Sequence, residues 1–180
     1  MASFYTYVVS SLPGLSPGMK PPLGFARFLA LCKDLIPDAD LALLAALAVG
    51  DGIPCAGTEN LTLRRWRSFD TMLRNELVQI RASRKKADPA KYLRPDSCPE
   101  SSYTAHMAIN AYRKPSVLEA ERSLDADRWR QLDELAAGHY FDLDTLVIYA
   151  LKLLMLERWD KVNAANGRHL LEGALAGAAL

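Results

Sequence analysis

Three histidines, His106, His139 and His169, are the side chains of this chain able to act as bases near neutral pH, so nucleophilic chemistry would have to be built around one of them. Ser101 and Ser102 precede His106 by five and four residues on one expected helix. The four-residue spacing permits contact, but no carboxylate stands locally to orient the ring, and the Gly-x-Ser-x-Gly elbow is absent. A helix-surface histidine is the stronger explanation. His139, Asp142 and Asp144 form the densest ligand-like group, because an imidazole and two carboxylates could hold a divalent ion. Local structure competes: Asp142 stands where a helix N-cap belongs, and Asp144 falls in the first turn, where the helix dipole favours a carboxylate by about 0.3–1 kcal/mol. Capping is therefore expected. His169 and Glu172 share a helix face, but the di-iron pattern needs Glu first and a second copy, so they read as a surface pair.

Other chemistry is excluded by spacing. Gly50-Asp51-Gly52 and the Pro13–Gly18 stretch lack the Lys-Ser/Thr of a phosphate loop and the dinucleotide fingerprint. Glu119 and Glu121, or Asp125 and Asp127, are two apart and point to different helix faces, which does not make an acid–base dyad. Cys32, Cys55 and Cys98 are odd in number and widely spaced, so reduced thiols are expected rather than a zinc or redox site. Neither a catalytic residue, a metal nor a cofactor is expected.

The elements that would position these residues are helical. With 180 residues, half of them hydrophobic and 24% charged, the chain suits one globular unit with a sizeable core. Residues 4–9 are aromatic and β-branched, and they suit either an extended segment or a short helical start. Four prolines between residues 13 and 22 then force an irregular connector. Apolar periodicity predicts helices over 25–36, ended by Pro37, and over 39–49, capped by Asp38. A long helix over 61–85 follows, with Trp66, Phe69, Leu73, Leu77 and Ile80 as its apolar stripe. Residues 100–113 predict another helix, and Pro115 as first helical residue opens the next, lined by Val117, Leu118, Leu124, Leu132 and Leu135 and closed by Gly138. Residues 143–162 are apolar on most sides and predict the central helix; 167–180 predict a short last one.

The expected fold is thus an all-α helical bundle of six or seven helices with an irregular or extended N-terminal segment, in which Trp66, Leu73, Leu77, Leu132, Leu151 and Trp159 are buried. Residues 1–180 form a single helical domain or two lobes, 1–87 and 99–180, joined by the Pro-containing connector. The apolar run 143–156 is too short and too charged to span a bilayer, so membrane insertion is not expected. No Lys or Arg precedes Lys20, and Pro13 breaks the first apolar stretch, which argues against a signal peptide and for a cytoplasmic location.

Charge is uneven although the net formal charge is only +1. Residues 60–95 hold ten Lys or Arg against three Asp or Glu, whereas 119–144 hold three against eight. Docking of the two halves within the chain is the simplest explanation, and an interface with another protein is the next. Direct nucleic-acid binding is the weakest, because Trp66 and Phe69 fit the apolar stripe better than a stacking platform. Arg81, Arg84, Lys85 and Lys86 crowd like charges at i, i+3 and i, i+4, so something acidic should cover them. They are the candidate partner interface, with the helix around Asp125–Glu134 as the intramolecular alternative.

A set of short strings runs along nearly the whole chain. They are Tyr-Thr-Tyr-Val-Val-Ser-Ser-Leu-Pro from Tyr5 to Pro13, Phe28-Leu29-Ala30-Leu31-Cys32, Asp40-Leu41-Ala42-Leu43-Leu44, and Leu73-Arg74-Asn75-Glu76-Leu77 leading to Arg81. In the second half they are Leu118-Glu119-Ala120-Glu121, Arg128-Trp129, Phe141-Asp142-Leu143-Asp144, and Tyr149-Ala150-Leu151-Lys152 leading to Glu157-Arg158-Trp159. Together they resemble the uncharacterised family of small helical bacterial proteins encoded among the subunits of V/A-type ATPases. The resemblance implies a non-catalytic role beside a rotary ATPase, peripheral to the membrane; the family has no assigned activity and so no functional residues to carry over. The tyrosine-rich start and helical pattern are also similar to the C-type stalk subunit of those enzymes, which caps the membrane rotor. This chain is too short for the full set of helical bundles found in that stalk protein, which implies a one-bundle relative. The resemblance implies V/A-type ATPase subunits as partners; the alternative is a free-standing cytosolic helical adaptor with no ATPase link.

Overall fold

The computed structural model describes residues 4–49, 60–94 and 102–165. They form seven α-helices and no strand: α1 Tyr5–Ser11, α2 Phe25–Cys32, α3 Asp38–Ala46, α4 Leu61–Lys85, α5 Ser102–Tyr112, α6 Val117–Leu135 and α7 Leu143–Ala164. Short 3₁₀ turns follow α3 at Leu47–Val49 and α4 at Pro89–Lys91. The fold is the all-α bundle that the apolar periodicity predicts. The start of the chain takes the helical alternative: Val8 is fully buried in α1, and the irregular part is the proline-rich connector after it.

Several helix ends differ from the sequence expectation, each for a local reason. Helix α2 stops at Cys32, because Asp34 turns the chain with φ 64, in the left-handed region. Ile36 is still buried, but from a turn. Asp38 is a first-turn residue of α3 rather than its cap, and Pro37 holds the cap position with no side-chain bond. Pro115 lies outside α6: Ser116 is the N-cap, its Oγ accepting from the Glu119 N–H at 3.2 Å. Gly138 lies beyond the end of α6 with φ 89, a conformation that suits glycine. The expected last helix at 167–180 and the loop through Gly50 and Pro54 fall outside the described residues.

Two apolar clusters make the core. In the first, Val8, Phe25, Phe28, Cys32, Leu44 and Leu47 pack with Leu63 of α4 and with Leu146, Val147, Ala150 and Leu153 of α7. In the second, Phe69, Leu73 and Leu77 of α4 pack with Met107, Ala108 and Ala111 of α5 and Leu124 of α6. Each cluster draws on both sides of the 88–99 connector, and Trp66 packs against both. Helix α7 touches α1, α2, α3, α4 and α6, as befits a helix apolar on most of its surface. Of the six residues expected to be buried, Leu73, Leu77 and Leu132 are, whereas Trp66, Leu151 and Trp159 are only half-buried. Val117 and Leu118, expected to line α6 inward, are exposed at its first turn. No described helix is long and apolar enough to cross a membrane.

Candidate functional site

Three polar centres stand out, and they differ in how completely the protein satisfies its own charges. The most buried is Asp125 of α6, which is 6% exposed. Its carboxylate accepts from Arg128 at 2.9 Å, from the Trp159 indole N–H at 2.7 Å, and from Arg158. Arg128 also donates to Asp70 of α4 at 3.0 Å, and Asp70 takes Arg74 at 2.7 Å. Burial disfavours the Arg128 charge, but Asp70 and Asp125 outweigh it and raise the Arg128 pKa. This network ties α4, α6 and α7 together. Sequence reasoning misses it, although Asp125/Arg128 at i, i+3 and Asp70/Arg74 at i, i+4 are visible as spaced pairs.

The second centre is the corner between α6 and α7. Asp142 is the N-cap of α7, as expected: its Oδ1 accepts from the Thr145 N–H at 2.9 Å and from the Thr145 hydroxyl at 2.8 Å. Its Oδ2 lies 2.6 Å from His139 Nδ1, and Asp144 Oδ2 lies 3.8 Å from the same nitrogen. The Asp142 hydrogen bond raises the His139 pKa; burial opposes ionisation of Asp142, yet His139 and Thr145 hold its carboxyl below the ordinary value. One ligand-type atom from each of His139, Asp142 and Asp144 lies within 4.8 Å of the others. Asp142 and His139 are already bonded to each other, and Asp144 Oδ1 accepts from Asn60 Nδ2 at 3.0 Å. That geometry serves as a helix cap linking α7 to the N-cap of α4.

Neighbouring contacts are of the same structural kind. The Phe25 N–H at the start of α2 donates to Glu157 of α7 at 2.6 Å, replacing the cap that Gly24 has no side chain to make. Tyr5 donates to Asp40; burial, then Asp40, raises its pKa. Cys32 is free and fully buried, and burial pushes its thiol up to about 11. His106 is exposed on α5, whereas Ser101, the Ser102 side chain, His169, Glu172, Cys55 and Cys98 fall outside what is described.

The third centre is the C-terminal end of α4, where Arg81, Arg84, Lys85 and Lys86 are all exposed. Arg84 donates to the Tyr112 hydroxyl at 3.0 Å and lies over its ring, 5.9 Å from the centroid. This contact brings the end of α4 to the end of α5, which continues directly into the exposed Arg113 and Lys114. Arg81, Lys85, Lys86 and Arg113 have no ion pair among the described residues. Three aspartates of the acidic helix that is the intramolecular alternative have partners of their own: Asp125 pairs with Arg128 and Arg158, Asp127 with Arg130, and Asp133 with Lys152. None of these three pairs with the basic tail among the described residues.

The described chain is an all-α bundle with a buried ion-pair lock and one uncovered basic end. Residues 107–175, which span part of α5 and all of α6 and α7, match the profile of an uncharacterised family, described as Protein of unknown function (DUF2764). No curated protein and no solved structure matches the chain.

Proposed function

We propose that this chain is a non-catalytic component or assembly factor of a bacterial V/A-type rotary ATPase, acting through protein–protein contacts at the end of α4. The ATPase link rests on the strings distributed from Tyr5 to Trp159, which resemble the small helical proteins encoded beside those subunits. The contact rests on one observation: Arg81, Lys85 and Lys86 stay exposed without an ion-pair partner among the described residues, while three aspartates of α6 are engaged elsewhere. Such a protein would sit beside the membrane through its partners rather than by insertion.

The test is co-purification of the tagged full chain from its native host at low salt. ATPase subunits should be recovered in amounts that fall as salt is raised, because exposed charge contacts are screened within about 8–10 Å at physiological ionic strength. Recovery of no ATPase subunit would remove the link and leave the free-standing adaptor.

A further inference from the structure

The lock joins α6 to α7 through Asp125 and Arg158, and one turn of α6 nearer the end of the pair the Arg122 guanidinium lies 5.5 Å from the centre of the Trp159 ring. Leu118 stands four residues before Arg122 and seven before Asp125 on α6. Val162 stands three residues after Trp159 and four after Arg158 on α7. Positions three, four and seven apart share a helix face, so Leu118 and Val162 continue the two faces that meet in the lock. Yet Leu118 is 44% exposed and Val162 46%, so beyond the lock the seam opens with an aliphatic side chain on either helix. Val117, next to Leu118, is 81% exposed. Single exposed aliphatic residues are ordinary, but here they continue one packed seam past its last contact.

The chain itself leaves the bundle at this end. Helix α7 stops at Ala164, two residues after Val162, and Ala165 departs with extended backbone, φ −70 and ψ 130. Asn166-Gly167 follows, a dipeptide that favours reversal of the chain. Beyond it Leu171, Ala174, Leu175 and Ala178 fall at i, i+3, i+4 and i+7, the spacing of one apolar helix face, and Glu172 lies off that face. Gly173 and Gly177 weaken such a helix, and one so short is marginal alone in water, so it needs a surface to pack on. The family match also runs past the end of α7, to residue 175. We infer that residues 167–180 fold back as a short helix over the open end of the α6–α7 seam, seating Leu171 and Leu175 against Leu118 and Val162. The seven residues from Ala164 to Leu171 reach up to roughly 25 Å, whereas Leu118 lies only about one helical turn, roughly 6 Å along α6, past the Arg122 contact with α7. Tethering selects this segment over the same segment of a second copy, because a short link holds it at an effective concentration on the order of millimolar. The inference is independent of the ATPase reading and leaves the basic end of α4 as it stands.

The test places benzoylphenylalanine at Leu118 in the purified full chain. An equal mixture of isotopically heavy and light chains is irradiated, and the attached peptide is identified by mass spectrometry. The expected product has the mass of a single chain, joins position 118 to residues 167–180 and contains no heavy–light pairs. Its yield should fall about tenfold in the double variant Leu171→Asp/Leu175→Asp, which replaces the two seated leucines by carboxylates. In Glu172→Ala it should stay within about twofold of the starting value, because that residue lies off the apolar face. Heavy–light products would assign the seam to a second copy and overturn the inference. Attachment only elsewhere in the chain, no attachment, a yield indifferent to Leu171→Asp/Leu175→Asp, or an equal fall in both variants would each overturn it as well.

Discussion

At its N-terminal end helix α4 is capped by Asn60, which accepts from the Leu63 N–H at 2.7 Å and donates to Asp144 at the start of α7. At its C-terminal end the same helix carries four exposed cations and closes on Lys86 with φ 52, a left-handed backbone that glycine would adopt at less cost. Both ends are rich in arginine, since Arg64, Arg65 and Arg67 begin the helix much as Arg81 and Arg84 end it. What separates them is the tie to the bundle. The first end is bound to α7 through the Asn60–Asp144 hydrogen bond, although Arg64 and Arg65 are exposed there too, whereas at the second end Arg81, Lys85 and Lys86 make no ion pair among the described residues. Composition alone does not distinguish the two ends; the surroundings do.

The largest effects should come from the lock and the core. Replacing Asp125 by alanine removes the acceptor shared by Arg128, Arg158 and the Trp159 indole; Arg128 keeps Asp70 and Arg158 is exposed, so the cost is that of lost charge-assisted hydrogen bonds, about 3 kcal/mol. Urea unfolding measures it; a loss under about 1 kcal/mol would mean that water replaces the carboxylate. Leu153→Ala, at a fully buried position of α7, should cost roughly 2–5 kcal/mol. The neighbouring Leu151→Ala should cost less, because Leu151 is only half-buried.

A smaller loss, about 0.5–2 kcal/mol, is expected for Asp142→Ala, which removes the N-cap of α7. Its pH dependence has a definite sign. The raised His139 pKa contributes stability that is complete below the ordinary histidine value of 6.5 and fades as pH rises through the folded value. The lowered Asp142 pKa contributes stability present above the ordinary carboxylate value of 3.8 and lost as pH falls through the folded value. The difference between wild type and Asp142→Ala should therefore be greatest between those limits and shrink at alkaline pH. A difference that grows from pH 6 to pH 9 would contradict the His139–Asp142 pairing.

These contrasts separate what local sequence dictates from what only packing creates. The bounds of α4 and the Asp142 cap are legible in the sequence because 3.6-residue periodicity and capping chemistry act within a few neighbours. The exposed basic tail is legible for the same reason. The Asp125 network is not, since Asp70, Asp125 and Arg158 come from three helices far apart in sequence. Nor is the Glu157 cap on α2, which joins residues 132 positions apart. The contact between the ends of α4 and α5 needs the packing of the two helices before Tyr112 can be set beside Arg84.

At the uncovered end, Lys86→Gly should raise stability by about 1 kcal/mol, because glycine takes the left-handed backbone without the penalty of a Cβ, while partner retention weakens. A loss of stability would mean that the Lys86 side chain serves the fold. Reversal of Arg84, Lys85 and Lys86 to Glu should cost about 1–2 kcal/mol, since it removes the Arg84–Tyr112 contact and sets carboxylates at the negative end of the α4 dipole.

That triple variant carries the most direct measurement. Wild type and variant, purified as full chains, are compared side by side for thermal midpoint and for retention of V/A-type ATPase subunits from the native host at two salt concentrations. Wild type should retain the subunits at low salt, and the variant should lose them with its thermal midpoint lowered only by the cost of the lost Arg84–Tyr112 contact and the reversed helix-end charges. Undiminished retention by the variant together with a clear fall in its midpoint would assign the basic end to the fold instead of to a partner.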